Sequence, residues 1–169
     1  MIVEDTRQQA GKHDHIAKWM EAHGVDFAPR ASALPFGDYM RDGSNISIDT
    51  KKDVQELAMD VGRDHARFVR EAERAAGAGF RLVVLIEQHP EYNDRQKLYT
   101  WLPFQCVRCR RCSPLKSKGC ARYRHKPMNG QAVAKIITKL ESDHGFVFEF
   151  CKKSDTARRI CELLGEAYT

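Results

Sequence analysis

A chain of 169 residues, 42% of them hydrophobic, is long enough to bury the core of one domain, and it holds no apolar run that could cross a bilayer. Its 28 lysines and arginines exceed its 23 acids by five. The excess sits in one place: residues 106–126, CVRCRRCSPLKSKGCARYRHK, carry eight basic side chains and no acid, so the remainder is slightly acidic and a polyanionic partner is indicated over a membrane.

Residues 1–5 (MIVED) read as a short strand. The opening MIVEDTRQQ lacks the basic-then-apolar order of a signal peptide, so a cytoplasmic location is expected, beside the nucleoid if the chain is bacterial or from a phage. In such a reducing compartment the six cysteines are expected as free thiols or metal ligands. Residues 12–23 predict a helix, with Ile16, Trp19 and Met20 at helical spacing, Gly24 as its stop, and the HDH of 13–15 at an exposed start. Strands follow at 25–31, 34–40 and 45–51, the last with Ile46 and Ile48 alternating with polar neighbours. From 53 to 76, Val54, Leu57, Ala58, Val61, Phe68, Val69 and Ala72 trace the apolar stripe of one long helix, with His65 on that stripe as a core histidine. FRLVVLIE, residues 80–87, has the continuous apolar run of a strand covered on both faces. The pattern breaks over 88–128. It resumes as a helix at 129–142, a strand at 145–151 and a helix at 154–167, which Ser154 and Asp155 are placed to cap. The order predicts an α/β fold, a mixed sheet flanked by helices, in a single domain spanning 1–169 with a basic cysteine segment inserted at 88–128.

Within LPFGDYMRDGSNISIDTKKD, Asp38 follows a turn, and Asp49 and Lys51 end the next strand. Side chains two apart on a strand share a face, so Asp49 and Lys51 point together, and a bent strand brings Asp38 to the same point. An acid at a bend and Asp-x-Lys on the following strand, in an αβββαβ order, is the layout of the PD-(D/E)xK nuclease core. Asp38 and Asp49, with the Thr50 carbonyl, would hold Mg²⁺ or Mn²⁺, which suits a site of few protein ligands that leaves room for phosphate oxygens. Lys51 would orient the attacking water or contact the phosphate. Asp-x-Lys by itself is common on solvated surfaces; its position in the predicted fold gives it meaning.

The chain also resembles a family, the XPF-type nuclease domain, which cuts branched DNA in repair and at replication forks. VEDTRQQ is similar to the family's first strand and supplies Asp5 and Arg7; FGDYM supplies its Gly-Asp turn; DTKKDVQE stands where its Glu-Arg-Lys signature stands. Gly62 and Arg63, the Leu85-Ile86-Glu87 strand end, and the closing GFVFEFCKKSDTARRICELL follow in family order. The resemblance implies a restriction-endonuclease-like fold, Asp38, Asp49 and Lys51 as catalytic residues with Asp5 auxiliary, branched or flapped DNA as substrate, and pairing as a homodimer. Gln8, Thr50 and Asp49 depart from the family's Glu, Arg and Glu, and the signature's last acid is out of register, leaving Asp53 or Glu56 to fill it. Arg7, Arg63 and Arg67 are candidate DNA contacts, with Arg7 also able to hold Asp38, and Glu87 is a candidate partner of Arg7 or an outer metal ligand.

Cys106, Cys109, Cys112 and Cys120 give C-x2-C-x2-C-x7-C, four thiols for a closed tetrahedral Zn²⁺ site in a segment too hydrophilic to use them as core. The first three also match iron–sulfur spacing, which stays as the alternative. A zinc knuckle would order the segment and present Arg108, Arg110, Arg111, Lys116, Lys118, Arg122, Arg124 and Lys126 to phosphates. Tyr92, Tyr99, Trp101 and Phe104 are expected to pack its base, with stacking on bases as the other reading; Cys151 and Cys161 are expected as buried apolar groups. The sequence thus points to a metal-dependent DNA endonuclease. The alternatives are a nucleic-acid-binding module that keeps the fold without cutting, or an RNA-binding zinc protein, which leaves residues 34–53 unexplained.

Overall fold

The run RLVVLIE forms β5 (Arg81–Glu87), and its side chains alternate between two separate cores. Leu82, Val84 and Ile86 enter one and Val83 and Leu85 the other, as a strand with helices on both faces requires. The computed structural model describes residues 1–7, 11–88 and 94–169; Gln8 and Tyr92 lie outside the described residues. β5 runs parallel to both β4 (Ile46–Lys51) and β6 (Val147–Cys151). β4 pairs antiparallel with β3 (Tyr39–Arg41), and β3 antiparallel with β1 (Ile2–Asp5). β1 takes β2 (Phe27–Ser32) as a parallel edge, so the mixed sheet has six strands in the order β2-β1-β3-β4-β5-β6.

One face is covered by α1 (Asp14–Ala22) and α7 (Thr156–Leu164), whose Ile16, Met20, Ile160 and Leu164 meet Ile2, Tyr39 and Ile48. Cys151 and Cys161 are buried in this core, and burial pushes both thiols up to about 11. The other face carries α2 (Val54–Gly62), α3 (His65–Gly77) and α6 (Gly130–His144). The expected α/β architecture, a mixed sheet flanked by helices, is present. No helix among the described residues is long and apolar enough to cross a membrane.

Three local expectations differ. The long helix over 53–76 is two helices, broken at Arg63-Asp64 just after Gly62, the weakest helix former in the stretch. The break resets the helical phase, so His65 is exposed and its Nδ1 lies 3.1 Å from the Val61 carbonyl oxygen instead of in the core. Of the strand expected over 34–40, only its end is extended: Gly37 turns the chain at φ +66°, and Ser47 Oγ donates to the Phe36 carbonyl (2.9 Å) to hold the turn on β4. Ahead of α7 the chain makes a 3-10 turn, Lys153–Asp155, and Asp155 takes the N-cap position without a side-chain cap.

The segment after β5 contains two short helices, α4 (Arg95–Leu98) and α5 (Phe104–Val107), and is irregular from Arg108 to Asn129. It rejoins the body where Gly130 donates its N–H to the Trp101 carbonyl at 2.9 Å. A Cβ at Gly130 would lie 1.7 Å from the Leu98 carbonyl oxygen, so only glycine fits this crossing.

Candidate functional site

The ends of β1, β3 and β4 converge on Asp38. Its backbone N–H donates to the Ile48 carbonyl (2.6 Å), and its carbonyl accepts from Asp5 N–H (2.9 Å). Its carboxylate Oδ2 accepts from Thr50 N–H at 2.8 Å and from the Thr50 hydroxyl at 2.5 Å. The Gly37 turn makes this approach possible, since a Cβ there would stand 2.3 Å from Ser47 Oγ and 2.8 Å from the Ile48 carbonyl oxygen. Along β4, Ile48 enters the α1/α7 core, while Asp49 and Lys51, one position out of phase, open with Asp38 and Thr50 into a cleft of about 320 Å³.

The cleft is lined by five acids and five basic residues, but they are sorted by depth. Asp5, Asp49 and Asp60 are 1%, 7% and 8% exposed, whereas the Arg7 and Arg67 side chains are 66% and 69% exposed and Arg74 is also at the surface. Lys51 is the inner cation. Its Nζ lies 2.8 Å from Asp49 Oδ2 and 2.8 Å from Asp60 Oδ2, with the Phe68 ring centroid 5.6 Å away. Burial works against the Lys51 charge, yet the two carboxylates more than offset it and hold its pKa above the ordinary lysine value. Asp49 is nevertheless pushed up to about 7, first by burial and then by Asp38 and Glu71, against the pull of Lys51. The two shifts are compatible because one ammonium serves two carboxylates while further acids crowd Asp49. The interior of the cleft is therefore short of positive charge.

Asp60 and Glu71 take no part in the sequence argument, yet both line the cleft. Asp60 had one visible sign, an acid set between Ala58 and Val61 on the buried stripe of α2. Glu71, on α3, accepts from Gly37 N–H at 3.0 Å and so ties that helix to the turn before Asp38. Asp5 lines the cleft with its carboxylate already engaged by the Arg7 side chain, Arg7 N–H (2.6 Å) and Leu34 N–H (3.0 Å). Burial would raise its pKa, but the Arg7 contacts outweigh it and hold it low. Arg7 pairs with Asp5, and Glu87 meets His15 Nε2 at 2.7 Å. Asp53 caps α2 by accepting from Glu56 N–H (2.7 Å), and the Glu56 carboxylate reaches back to accept from Lys52 N–H (2.7 Å). Arg63 is exposed beside Asp64 (3.9 Å) and does not line the cleft.

The HDH stretch is not an exposed helix start. His13 is 8% exposed, its Nδ1 2.8 Å from the Tyr39 hydroxyl and 3.1 Å from Glu4 Oε1, its Nε2 3.2 Å from Thr50 Oγ1. The single hydroxyl proton of Thr50 goes to Asp38, and His13 Nε2 meets the same Thr50 oxygen from the other side. Glu4 also accepts from Tyr39 OH (2.9 Å) and Arg30 N–H (3.1 Å). A buried chain of hydrogen bonds therefore runs from Glu4 through His13 and Thr50 to Asp38 and fixes the carboxylate from behind.

In the cysteine segment, Cys106 is buried on α5 and Cys109, Cys112 and Cys120 are half-buried. Burial raises the Cys106 thiol, and the nearness of Cys120, Cys112 and Cys109 raises it further, so the four share one neighbourhood. The N–H groups of Arg122 and Tyr123 point at Cys120 Sγ (3.4 and 3.3 Å) and hold that thiol low. Among the described residues no three His, Cys, Asp or Glu side chains are already arranged to hold a metal ion. The donor set itself, four thiols from one short segment with backbone N–H groups aimed at one of them, fits zinc. All eight basic residues of the segment are exposed except Lys126, whose Nζ donates to the Ser117 carbonyl at 2.6 Å. Trp101 packs into the core as expected of the segment's base, but Phe104 and Tyr99 remain exposed because α4 and α5 are too short to bury both faces.

No protein-family model matches the chain, and comparison with curated proteins returns no match.

Proposed function

We propose that the chain is a metal-dependent DNA endonuclease of restriction-endonuclease-like fold, akin to the XPF type. One observation carries the reading: a cleft with carboxylates and Lys51 inside and arginines at its rim is arranged for a divalent cation within and phosphates without. Asp38 and Asp49, with the Thr50 carbonyl, would hold Mg²⁺ or Mn²⁺. The metal supplies Lewis-acid polarisation of the scissile phosphate and stabilises the charge that develops on it. Lys51, held by Asp49 and Asp60, orients the water that adds to phosphorus as the bond to one sugar oxygen breaks. Asp60 is the positioning residue of Lys51, and Asp5 acts by fixing Arg7 at the rim. Arg7, Arg67 and Arg74 hold phosphates along the strand. Zn²⁺ on Cys106, Cys109, Cys112 and Cys120 would staple the basic segment into a second DNA-gripping surface, with an iron–sulfur cluster as the alternative occupant. Branched DNA as substrate and a homodimer as the working form belong to the same proposal.

The saturation of Lys51 by two carboxylates favours one second reading, a binding module that holds DNA and does not cut. Labelled fork, flap, four-way junction and linear duplex, incubated with Mg²⁺, Mn²⁺ or EDTA, separate the two. The nuclease gives metal-dependent cutting that Asp38→Ala and Lys51→Ala abolish. Salt-sensitive binding without cutting in all three proteins refutes it and leaves the module.

A further inference from the structure

A second concavity, of about 460 Å³, lies between α5 and the beginning of α2, lined chiefly by Gln55, Gln88, Trp101, Phe104, Val107 and Arg108. Phe104 and Val107, three apart on α5 and therefore on one side of it, are 59% and 65% exposed. Their mounting is rigid. Phe104 N–H donates to Gln55 Oε1 (3.1 Å), Gln88 Oε1 accepts from Val54 N–H (2.9 Å), and Trp101 is buried beneath. Asp53, two residues beyond Lys51, also lines this groove, which thus opens at the same end of β4 as the cleft.

We propose that this groove seats an unpaired nucleobase stacked on the Phe104 ring. The inference takes its ligand class from the nucleic-acid reading above and adds a site which that reading does not contain. Phe104 makes no ring contact among the described residues, and Arg108 at the groove's edge begins the acid-free run of eight cations. That charge selects a polyanion over an apolar peptide or a second, equally basic copy of the same segment. Cations along the run take the phosphates, the ring takes a base face, and stacking accepts any base because each has a π-surface. A paired base is not available to it, so the groove reads single-strandedness, not sequence.

The test is made in Ca²⁺ with no Mg²⁺ or Mn²⁺ and no chelator, so that the strand is not cut and the cysteine segment keeps its metal, with 2-aminopurine placed in a single strand and in a duplex. The proteins are wild type, Phe104→Ala and Phe104→Tyr, with thermal melts and light scattering as controls. Expected are quenching of the single-strand probe by wild type and Phe104→Tyr, and loss of quenching with about tenfold weaker single-strand binding in Phe104→Ala, the scale of one lost stack. Duplex binding stays unchanged. Equal single-strand binding by Phe104→Ala and wild type overturns the groove and leaves the nuclease reading to its cleavage assay. Equal weakening on single strand and duplex also overturns it. Self-association lost in Phe104→Ala with single-strand binding intact overturns it in favour of a second copy on this face. Loss of quenching in a chain that never cuts upholds the groove and refutes the nuclease.

Discussion

Replacing Lys51 by methionine keeps most of the stem and removes the ammonium, whose Nζ lies 5.6 Å from the Phe68 ring centroid. Two carboxylates, Asp49 and Asp60, each 2.8 Å from Nζ, then lose their common partner in a place where both are under a tenth exposed. Breaking a buried ion pair from one side costs about 3–5 kcal/mol, because the remaining charge is left unpaired away from water. For a chain of this length each kcal/mol lowers Tm by about 2–4 °C, so the expected drop is about 6–20 °C at pH 8.5 in EDTA. The sign of its pH dependence follows from Asp49, whose pKa stands at about 7 in the fold against an ordinary 3.8. A carboxyl raised on folding stabilises the fold below its unfolded value, and that contribution is lost as pH rises through the folded value. Without Lys51 the carboxyl is raised further, so the deficit is largest above pH 7 and shrinks toward pH 5, where Asp49 carries a proton. Circular-dichroism melts of both proteins at pH 5, 7 and 8.5 measure this. A drop under 2 °C at pH 8.5, or one identical at pH 5, refutes the account of the cleft as a lysine shared between buried acids.

Mg²⁺ or Mn²⁺ is expected to stabilise the wild type with the logarithm of its concentration, by about 2.7 kcal/mol at a hundredfold excess over Kd, and so to raise its Tm, and Asp38→Ala to abolish the rise in the same scanning-fluorimetry titration. Gly37→Ala is expected to lose more than about 1 kcal/mol in urea unfolding, since its φ of +66° and the 2.3 Å approach of a Cβ to Ser47 Oγ both oppose a side chain. Asp60→Asn is expected to cut more slowly by about tenfold, because it loosens Lys51, and Arg67→Ala, which leaves Lys51 held, separates that effect from the loss of the Arg67 partner 3.6 Å from Asp60 by weakening DNA binding instead. A strong zinc chelator is expected to expose residues 106–126 to trypsin while the remainder survives, read by mass spectrometry of the fragments.

The sequence carried the sheet through its periodicities. A two-faced apolar run made β5 legible, and period two placed Asp49 beside Lys51 without knowledge of anything else. What it could not carry were contacts made across the chain. Asp60 meets Lys51 because α2 folds back from the end of β4, and Glu71 meets Gly37 because the chain breaks after Gly62 and swings α3 over the cleft. His13 read as solvent-facing because its partners, Glu4, Tyr39 and Thr50, lie on three different strands. Phe104 read as packing because aromatic residues usually are, and only the brevity of α5 leaves it outside.

The closure at Gly130 has a consequence for how such a protein can change over generations. The inserted segment departs after Gln88, which is pinned to Val54 and to the Cys151 carbonyl, and returns at Gly130 against Leu98 and Trp101. Both stems are clamped to the body, and lengthening a loop between fixed ends adds only a logarithmic entropy term. The stretch from Arg108 to Met128 is therefore a cassette: it can be traded, grown or trimmed while β5 and α6 keep their register. The basic surface of the cassette and the acidic cleft at Asp38 and Asp49 are then free to diverge on separate schedules.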